Sequence, residues 1–257
     1  MGKGGDTFLD AAINRRMLQR WAMSARAAGT ARLSVLSRQS DRARALRAHL
    51  DQLIHTADER LALADTGDGV FPRPHNADWA WRPELWRGAL RVKGVSSVQS
   101  KTKLGSELTL FHDCPFAEMT LRQVRNQGDA GLAPCGLGLD VFRFGGSFLS
   151  LVLDLPPEGL RGLSRNHVLA VSATTEMERP LEIFVRLNIR HGPNTEQLVR
   201  ELPSGTSGGI AEFDLAGISM NEKRVEKVWV DLIFEEPGMN EVILRDLTIT
   251  RRPRAQM

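Results

Sequence analysis

From about Leu90 onward the apolar residues of this chain fall on every second position, and no stretch of ten residues there keeps a helical period. Leu181, Ile183, Val185, Leu187 and Ile189 alternate with Glu182, Phe184, Arg186, Asn188 and Arg190. Val228, Val230, Leu232 and Phe234 alternate with Trp229, Asp231 and Ile233. A period of two over this length marks a strand with one buried face. The segment 242–249 is apolar on both sides near its middle. Further strands are expected at 89–93, 106–111, 117–124, 138–144, 147–154, 167–173, 197–202 and 209–214. Gly145-Gly146 reads as a hairpin turn between two of them, and residues 203–209 read as a flexible loop. About ten short strands cannot lie in one sheet without leaving an apolar face wet, so two sheets must pack. The expected fold is mainly β: an antiparallel two-sheet β-sandwich, jelly-roll-like, with an N-terminal α-helical arm.

The arm is a different kind of sequence. Phe8, Leu9, Ile13, Met17 and Trp21 recur at helical spacing over 7–27, with Arg15, Arg16, Arg20 and Arg26 on other faces and Gly29 as the stop. A second helix is expected over 33–63. Leu36, Ala43, Leu50 and Ala57 lie seven apart there, with Leu46 and Leu53 at the matching d-type positions, which makes a short heptad seam. Two helices joined by a short turn suggest a helical hairpin or a helix that packs on a partner. Residues 65–78 are rich in Gly, Pro and Asp and read as the boundary. Trp79, Trp81 and Trp86 follow it. The expected organisation is a basic helical arm at 1–65, a linker and Trp-rich segment at 66–88, and a β-sandwich domain at 89–257.

Charge follows the same division. Residues 1–65 hold 11 Lys/Arg and 7 Asp/Glu, so they carry more than the whole chain's formal net charge of +3. The basic excess belongs to the arm. Two cysteines, Cys114 and Cys135, are too few for a disulfide framework and are expected to be reduced and buried. The N-terminus lacks an apolar signal core, Asp6 breaks the myristoylation pattern, and no apolar run is long enough for a membrane span. The expected location is cytoplasmic, with peripheral membrane contact through the arm as a further possibility.

No motif carries catalysis. His112-Asp113-Cys114 joins a base, a carboxylate and a thiol, but adjacent residues seldom meet as a nucleophile pair, and the plainer reading is a strand end with a buried Cys. Zinc would need further ligands, and Cys135 and His167 stand in no paired motif. Cys135-Gly136-Leu137-Gly138-Leu139-Asp140 lacks the third glycine and the following helix of a dinucleotide loop. Asp154, Glu158, Asp231 and Asp246 could supply a carboxylate pair for glycoside cleavage only at a specific separation, which leaves a glycoside hydrolase-like enzyme as the low-ranked alternative. No catalytic residue, metal or cofactor is expected.

The stretch Trp229–Phe234, a turn at Pro237-Gly238-Met239-Asn240, and Val242–Ile249 resemble the closing strand pair of carbohydrate-binding-type β-jelly rolls. The resemblance covers roughly 138–251, is architectural, and implies a sandwich without assigning ligand residues. Asp78-Trp79-Ala80-Trp81-Arg82-Pro83 and Phe111-His112-Asp113-Cys114 are similar to stretches of an uncharacterised alphaproteobacterial family of unknown function, from which no activity carries over.

Three surfaces are candidates for binding. Phe184, Arg186, Asn188 and Arg190, with Trp229 and Asp231, combine aromatic faces with the polar groups that a glycan's hydroxyls require; the plainer reading is a solvated outer face with Trp229 as core. Trp79, Trp81 and Trp86 could form an aromatic stacking platform, or could plug the sandwich. Arg15, Arg16, Arg20, Trp21 and Arg26 could meet a protein partner, pack within the chain, or lie on an anionic membrane surface; nucleic acid ranks last among the partners. The expected function is a non-enzymatic binding module for a glycan or polysaccharide with a basic tether. The alternative is a structural or assembly protein whose sandwich and arm dock a protein partner or an anionic membrane.

Overall fold

In the computed structural model, residues 8–65, 73–126, 132–203 and 208–254 are described. The chain divides into two compact units, Met1–Ile54 and His55–Met257. The first holds α1 (Phe8–Ala27), a 3₁₀ turn (Ala28–Thr30) and most of α2 (Leu33–Asp65). Among the described residues α1 and α2 show no extended contact with each other. Ile13, Leu18 and Met23 stand exposed on different sides of α1. The heptad seam of α2 is likewise open at Leu50 and Leu53. Among the described residues no helix is long and apolar enough to cross a membrane.

The second unit is the sandwich. Its strands are β1 (Trp79–Trp81), β2 (Gly94–Ser96), β3 (Thr102–Leu104), β4 (Leu108–His112), β5 (Glu118–Arg125), β6 (Cys135–Arg143), β7 (Leu149–Asp154), β8 (His167–Met177), β9 (Ile183–His191), β10 (Asn194–Leu202), β11 (Gly209–Asp214), β12 (Val225–Phe234) and β13 (Asn240–Pro253). One sheet runs β11-β8-β13-β6-β5-β2, with β1 added on β13, and the other runs β10-β9-β12-β7-β4-β3. All pairs are antiparallel. The alternating apolar residues meet between the sheets. Val185, Leu187, Val230, Leu232, Leu151 and Leu153 from one side face Leu137, Leu139, Leu247, Ile249, Val171 and Phe213 from the other, all at most 1% exposed. Period-two patterning therefore predicted the core correctly, because only one parity of each strand can enter it.

Local rules failed in places where tertiary contacts decide. Gly145-Gly146 is not a hairpin turn: β6 and β7 lie in different sheets, and this connection carries the chain from one to the other. The tight hairpin is β9–β10, whose two central residues are Gly192 and Pro193, with Gly192 at φ 59°. A positive φ at the first central position matches the right-handed twist of the strands and needs glycine. Residues 89–93 form no strand. Their backbone is gripped by one side chain instead: Leu90 N donates to Gln123 Oε1 (2.8 Å), and Gln123 Nε2 donates to Leu85 O and Gly88 O.

The segment expected as linker and Trp-rich stretch (66–88) divides. Residues 66–72 lie outside the described residues, whereas Trp79–Trp81 is a strand and Leu85 and Trp86 belong to the core. The long β13 explains this docking. Up to Leu244 one of its edges pairs with β6, and a register shift follows between Leu244 and Asp246. Beyond it β6 no longer pairs with that edge; Asn126 Nδ2 donates to Arg245 O (2.7 Å), and β1 takes the edge at Ile249–Arg251. An unpaired edge inside a sandwich would strand backbone polar groups. Arg251 and Asp78 reinforce the junction with an ion pair of 3.0 Å, and Arg251 also donates to Gly159 O and Arg161 O.

Candidate functional site

The two sheets have unlike outer faces. On the seven-stranded sheet, charged side chains satisfy one another. Arg122 binds Asp140 (2.9 Å) and Glu241, Arg245 binds Glu176 (2.6 Å), and Arg252 binds Glu212 (3.1 Å). The Gly-x-Gly of β6 belongs to this arrangement: a Cβ on Gly138 would stand 3.1 Å from the Arg122 guanidinium carbon, so the glycine leaves room for that side chain to cross the strand. Hydrogen bonds from Arg122 hold the Asp140 carboxyl below the usual range, and Arg245 does the same for Glu176. This face is closed by its own charges.

The six-stranded sheet presents a mixed face. Register places Phe184, Ile233, Ser150 and Phe111 in one rung across β9, β12, β7 and β4. The next rung is Arg186, Asp231, Val152 and Thr109, and a third holds Asn188, Trp229 and Asp154. Phe111, Val152, Phe184, Trp229 and Ile233 are all half-buried on the outward parity. At the centre lies a polar network. Asp231 Oδ2 accepts from Arg186 Nε (2.7 Å) and Asn188 Nδ2 (3.2 Å), and Arg186 Nη2 approaches it to 2.6 Å. Gln197 Nε2 donates to Asn188 Oδ1 (2.9 Å). Asp231 is 2% exposed, yet its Oδ1 has no hydrogen-bond partner. A buried carboxylate oxygen left in that state is costly.

Structure thus brings Phe184, Arg186, Asn188 and Asp231 together. Arg190 and Trp229 lie towards the other end of the face, where ions cover it. Arg190 pairs with Glu226 (3.3 Å), and Lys227, paired to Asp154 (2.8 Å), stands 5.3 Å from the Trp229 ring centroid. Trp229 faces outward and is not a core plug, but its ring already has a cation. The open half is the Phe184 rung. Sequence reading missed Phe111 and Val152, and it named Ile233 only as a strand position. Their signal was an apolar residue on the outward parity of three neighbouring strands, which becomes visible only once the strand order is known.

The aromatic platform of Trp79, Trp81 and Trp86 does not exist as an exposed surface. Trp86 is fully buried and its Nε1 donates to Leu244 O (2.9 Å), while Trp81 is 8% exposed and stacks on Trp79 at 6.4 Å. Docking of β1 on β13 carries these rings into the core. Trp79 lies over Gly159, where any Cβ would stand 2.6 Å from the indole. The carboxylates considered for glycoside cleavage divide between the sheets: Asp154 and Asp231 occupy adjacent rungs of the β7–β12 pair, away from Asp246. Asp246 is on the seven-stranded sheet, paired to Arg82 (2.7 Å), whereas Asp154 and Asp231 are on the other sheet with cations of their own. Burial raises the Asp246 carboxyl above the usual range against the pull of Arg82.

His112-Asp113-Cys114 proves to be a clamp. Asp113 accepts from the backbone N of Ser147 (2.8 Å) and Phe148 (3.2 Å), and Cys114 Sγ accepts from Gly145 N (3.3 Å). Hydrogen bonds from Ser147 lower the Asp113 carboxyl. The motif fixes the connection between the sheets. His112 is buried with its ring edge-on to Phe144. Both cysteines are buried. Among the described residues no group of three His, Cys, Asp or Glu could hold a metal ion. In the arm, Arg15, Arg16, Arg20 and Arg26 are exposed and Trp21 is half-buried. Among the described arm residues one ion pair forms, Arg47–Asp51 at 3.3 Å.

Fold and face together define a β-sandwich protein with one charge-closed outer sheet and one aromatic-and-polar outer sheet. The chain belongs to the Family of unknown function (DUF6478), whose model matches residues 1–257. No curated protein matches it. Among solved structures it is similar to a Family 11 carbohydrate-binding module from Clostridium thermocellum in complex with a β-1,3-1,4-mixed-linked tetrasaccharide, with 9% identity over 64% of this chain and 99% of that one and a TM-score of 0.39. It is similar to the enzymatically active domain of tailspike protein 4 of bacteriophage CBA120, with 7% identity over 62% of this chain and a TM-score of 0.40. There the match spans only 21% of the tailspike chain. It is also similar to the CBM22-1 xylan-binding domain from Paenibacillus barcinonensis, with 10% identity over 61% of this chain and 92% of that one and a TM-score of 0.34. These are likenesses of chain trace and carry no side chain across.

Proposed function

We propose that the sandwich is a non-enzymatic glycan-binding module whose site is the outer face of the six-stranded sheet, centred on Phe184, Arg186 and Asp231. The observation that carries this reading is the combination, in adjacent rungs, of half-exposed apolar side chains with a preorganised polar network that retains an unsatisfied carboxylate oxygen. Sugar rings present apolar C–H faces together with hydroxyls, and a site for them needs both kinds of partner held rigid. Phe184 and Trp229 lie four residues apart along the face, about 13 Å, which is room for more than one ring. The test is affinity electrophoresis of the full chain through gels carrying neutral, acidic or amine-bearing polysaccharides. Retardation by at least one of them that is lost in Phe184→Ala supports the reading. Free migration through all of them refutes it.

A second reading is favoured by the arm. Among the described arm residues one ion pair forms, Arg47–Asp51, and exposed Ile13, Met17, Leu18 and Met23 lie among the exposed arginines. On this reading the arm docks a protein partner or an anionic surface, with the sandwich as cargo.

A further inference from the structure

One end of the sandwich carries a groove of about 1000 Å³ where three connections meet: 144–148, 178–182 and 235–239. Its walls are tied to one another. Asp113 and Cys114 hold the first connection, as described above. The other two are cross-linked through buried Asn240: Arg179 N donates to Asn240 Oδ1 (2.9 Å), and Asn240 Nδ2 donates to Arg179 O (2.8 Å). The Arg179 guanidinium donates to the carbonyls of Gly238 and Met239. Side chains thus brace all three connections, so the groove is a shaped surface.

Its chemistry is aromatic and acidic. Phe144, Phe148 and Phe184 line it, together with Glu182, Glu235 and Glu236. Glu235 N donates to Glu182 O at 3.0 Å, which continues the β9–β12 register past Phe234 and Ile183. Glu182 and Glu235 therefore stand opposite each other on the outward face, one rung beyond Phe184 and Ile233. Like charges directly opposite on paired strands destabilise a sheet. Among the described residues, no ion pair neutralises either glutamate or Glu236. The one cation in the lining, Arg179, has its guanidinium committed to two backbone carbonyls, so the groove carries three carboxylates against one arginine. An uncompensated like-charge pair beside aromatic rings is a site prepared for a cation.

We propose that this groove selects an amine-bearing sugar, with the protonated amine between Glu182 and Glu235 and the ring against Phe184. The inference rests on the glycan reading above and adds the class of sugar. A sugar fits better than a basic peptide because Phe184 belongs to both surfaces, so the groove prolongs the glycan face. The test is calorimetric titration of the full chain, at a mildly acidic pH where the amine of the sugar is protonated. Three probes are used: a glucosamine oligomer, its fully N-acetylated counterpart, and a lysine oligomer of equal charge.

The expected result is tighter binding of the glucosamine oligomer than of the N-acetylated one by about tenfold or more, as charge-assisted hydrogen bonds give. Glu182→Gln/Glu235→Gln should erase that preference and leave weak binding of the N-acetylated oligomer unchanged. Its unfolding midpoint should equal or exceed that of the wild type, since a like-charge pair has been removed. Equal binding of the two sugar oligomers, or a preference that survives in the double variant, overturns the amine assignment and leaves the glycan reading standing. Lysine-oligomer binding as tight as that of the glucosamine oligomer and lost in the same variant overturns the sugar assignment in favour of a basic peptide. No binding of either sugar oligomer by the wild type, together with free migration through every gel, removes both readings.

Discussion

Replacing two tryptophans, one at a time, tests the placement of the two sheets' faces directly. Trp86 is 0% exposed and hydrogen-bonded to Leu244 O. Burying an indole removes up to about 250 Å² from water, worth about 6 kcal/mol at 25 cal/mol per Å² as an upper bound. Trp86→Ala also leaves the Leu244 carbonyl unpaired inside the core, and partial collapse of the cavity recovers some of the loss. A net cost of about 4–5 kcal/mol is expected. Trp229 is half-buried on the outward parity, with Lys227 over its ring. Trp229→Ala should then cost about 1–2 kcal/mol, a cation–π contact plus partial burial. With an m value of about 3 kcal/mol/M in urea, the midpoints should fall by about 1.5 M and about 0.5 M. Urea unfolding of the full chain, followed by near-UV circular dichroism with no ligand present, reads both. A loss for Trp229→Ala as large as that for Trp86→Ala would show that Trp229 sits in the core. The outer-face assignment of Asp231, on the same strand, and of Arg186, its cross-strand partner on β9, would fall with it.

Three further outcomes follow from the structure. Asp140 and Glu176 have carboxyls held below their usual range by hydrogen bonds from Arg122 and Arg245, so their contribution is present above the ordinary carboxylate pKa and is lost as pH falls through the lowered folded value. The stability gap between wild type and Asp140→Asn should therefore shrink as pH drops below about 4, and a gap independent of pH in acid titration would refute the ion-pair account. Deleting residues 1–54 should leave a cooperative thermal transition, because residues 55–257 form a compact unit with its own hydrophobic core. The same deletion should abolish salt-sensitive binding to anionic vesicles, and retention of that binding would take it away from the arm.

Alternation alone was enough to place the long strands, because a strand that buries one face writes that choice into every second residue. Leu181–Ile189 and Val228–Phe234 carried their inward and outward sides openly, and so Phe184, Arg186, Asn188 and Asp231 could be named together before any coordinates. Short elements had no such record. Trp79–Trp81, Gly94–Ser96 and Thr102–Leu104 are three residues each, too short for a period to be seen, and their pairing is decided by which edge another strand leaves free. Trp79, Trp81 and Trp86 could have been platform or plug until the register shift in β13 showed where β1 docks. Gly145-Gly146 has hairpin chemistry, but the next strand joins the other sheet, because sheet membership depends on neighbours far away in sequence. The acidic groove was the least legible of all. Glu182 and Glu235 lie on different strands, and their opposition arises only when β9 and β12 pair, since the electrostatics of a site depend on distances that the linear chain does not contain.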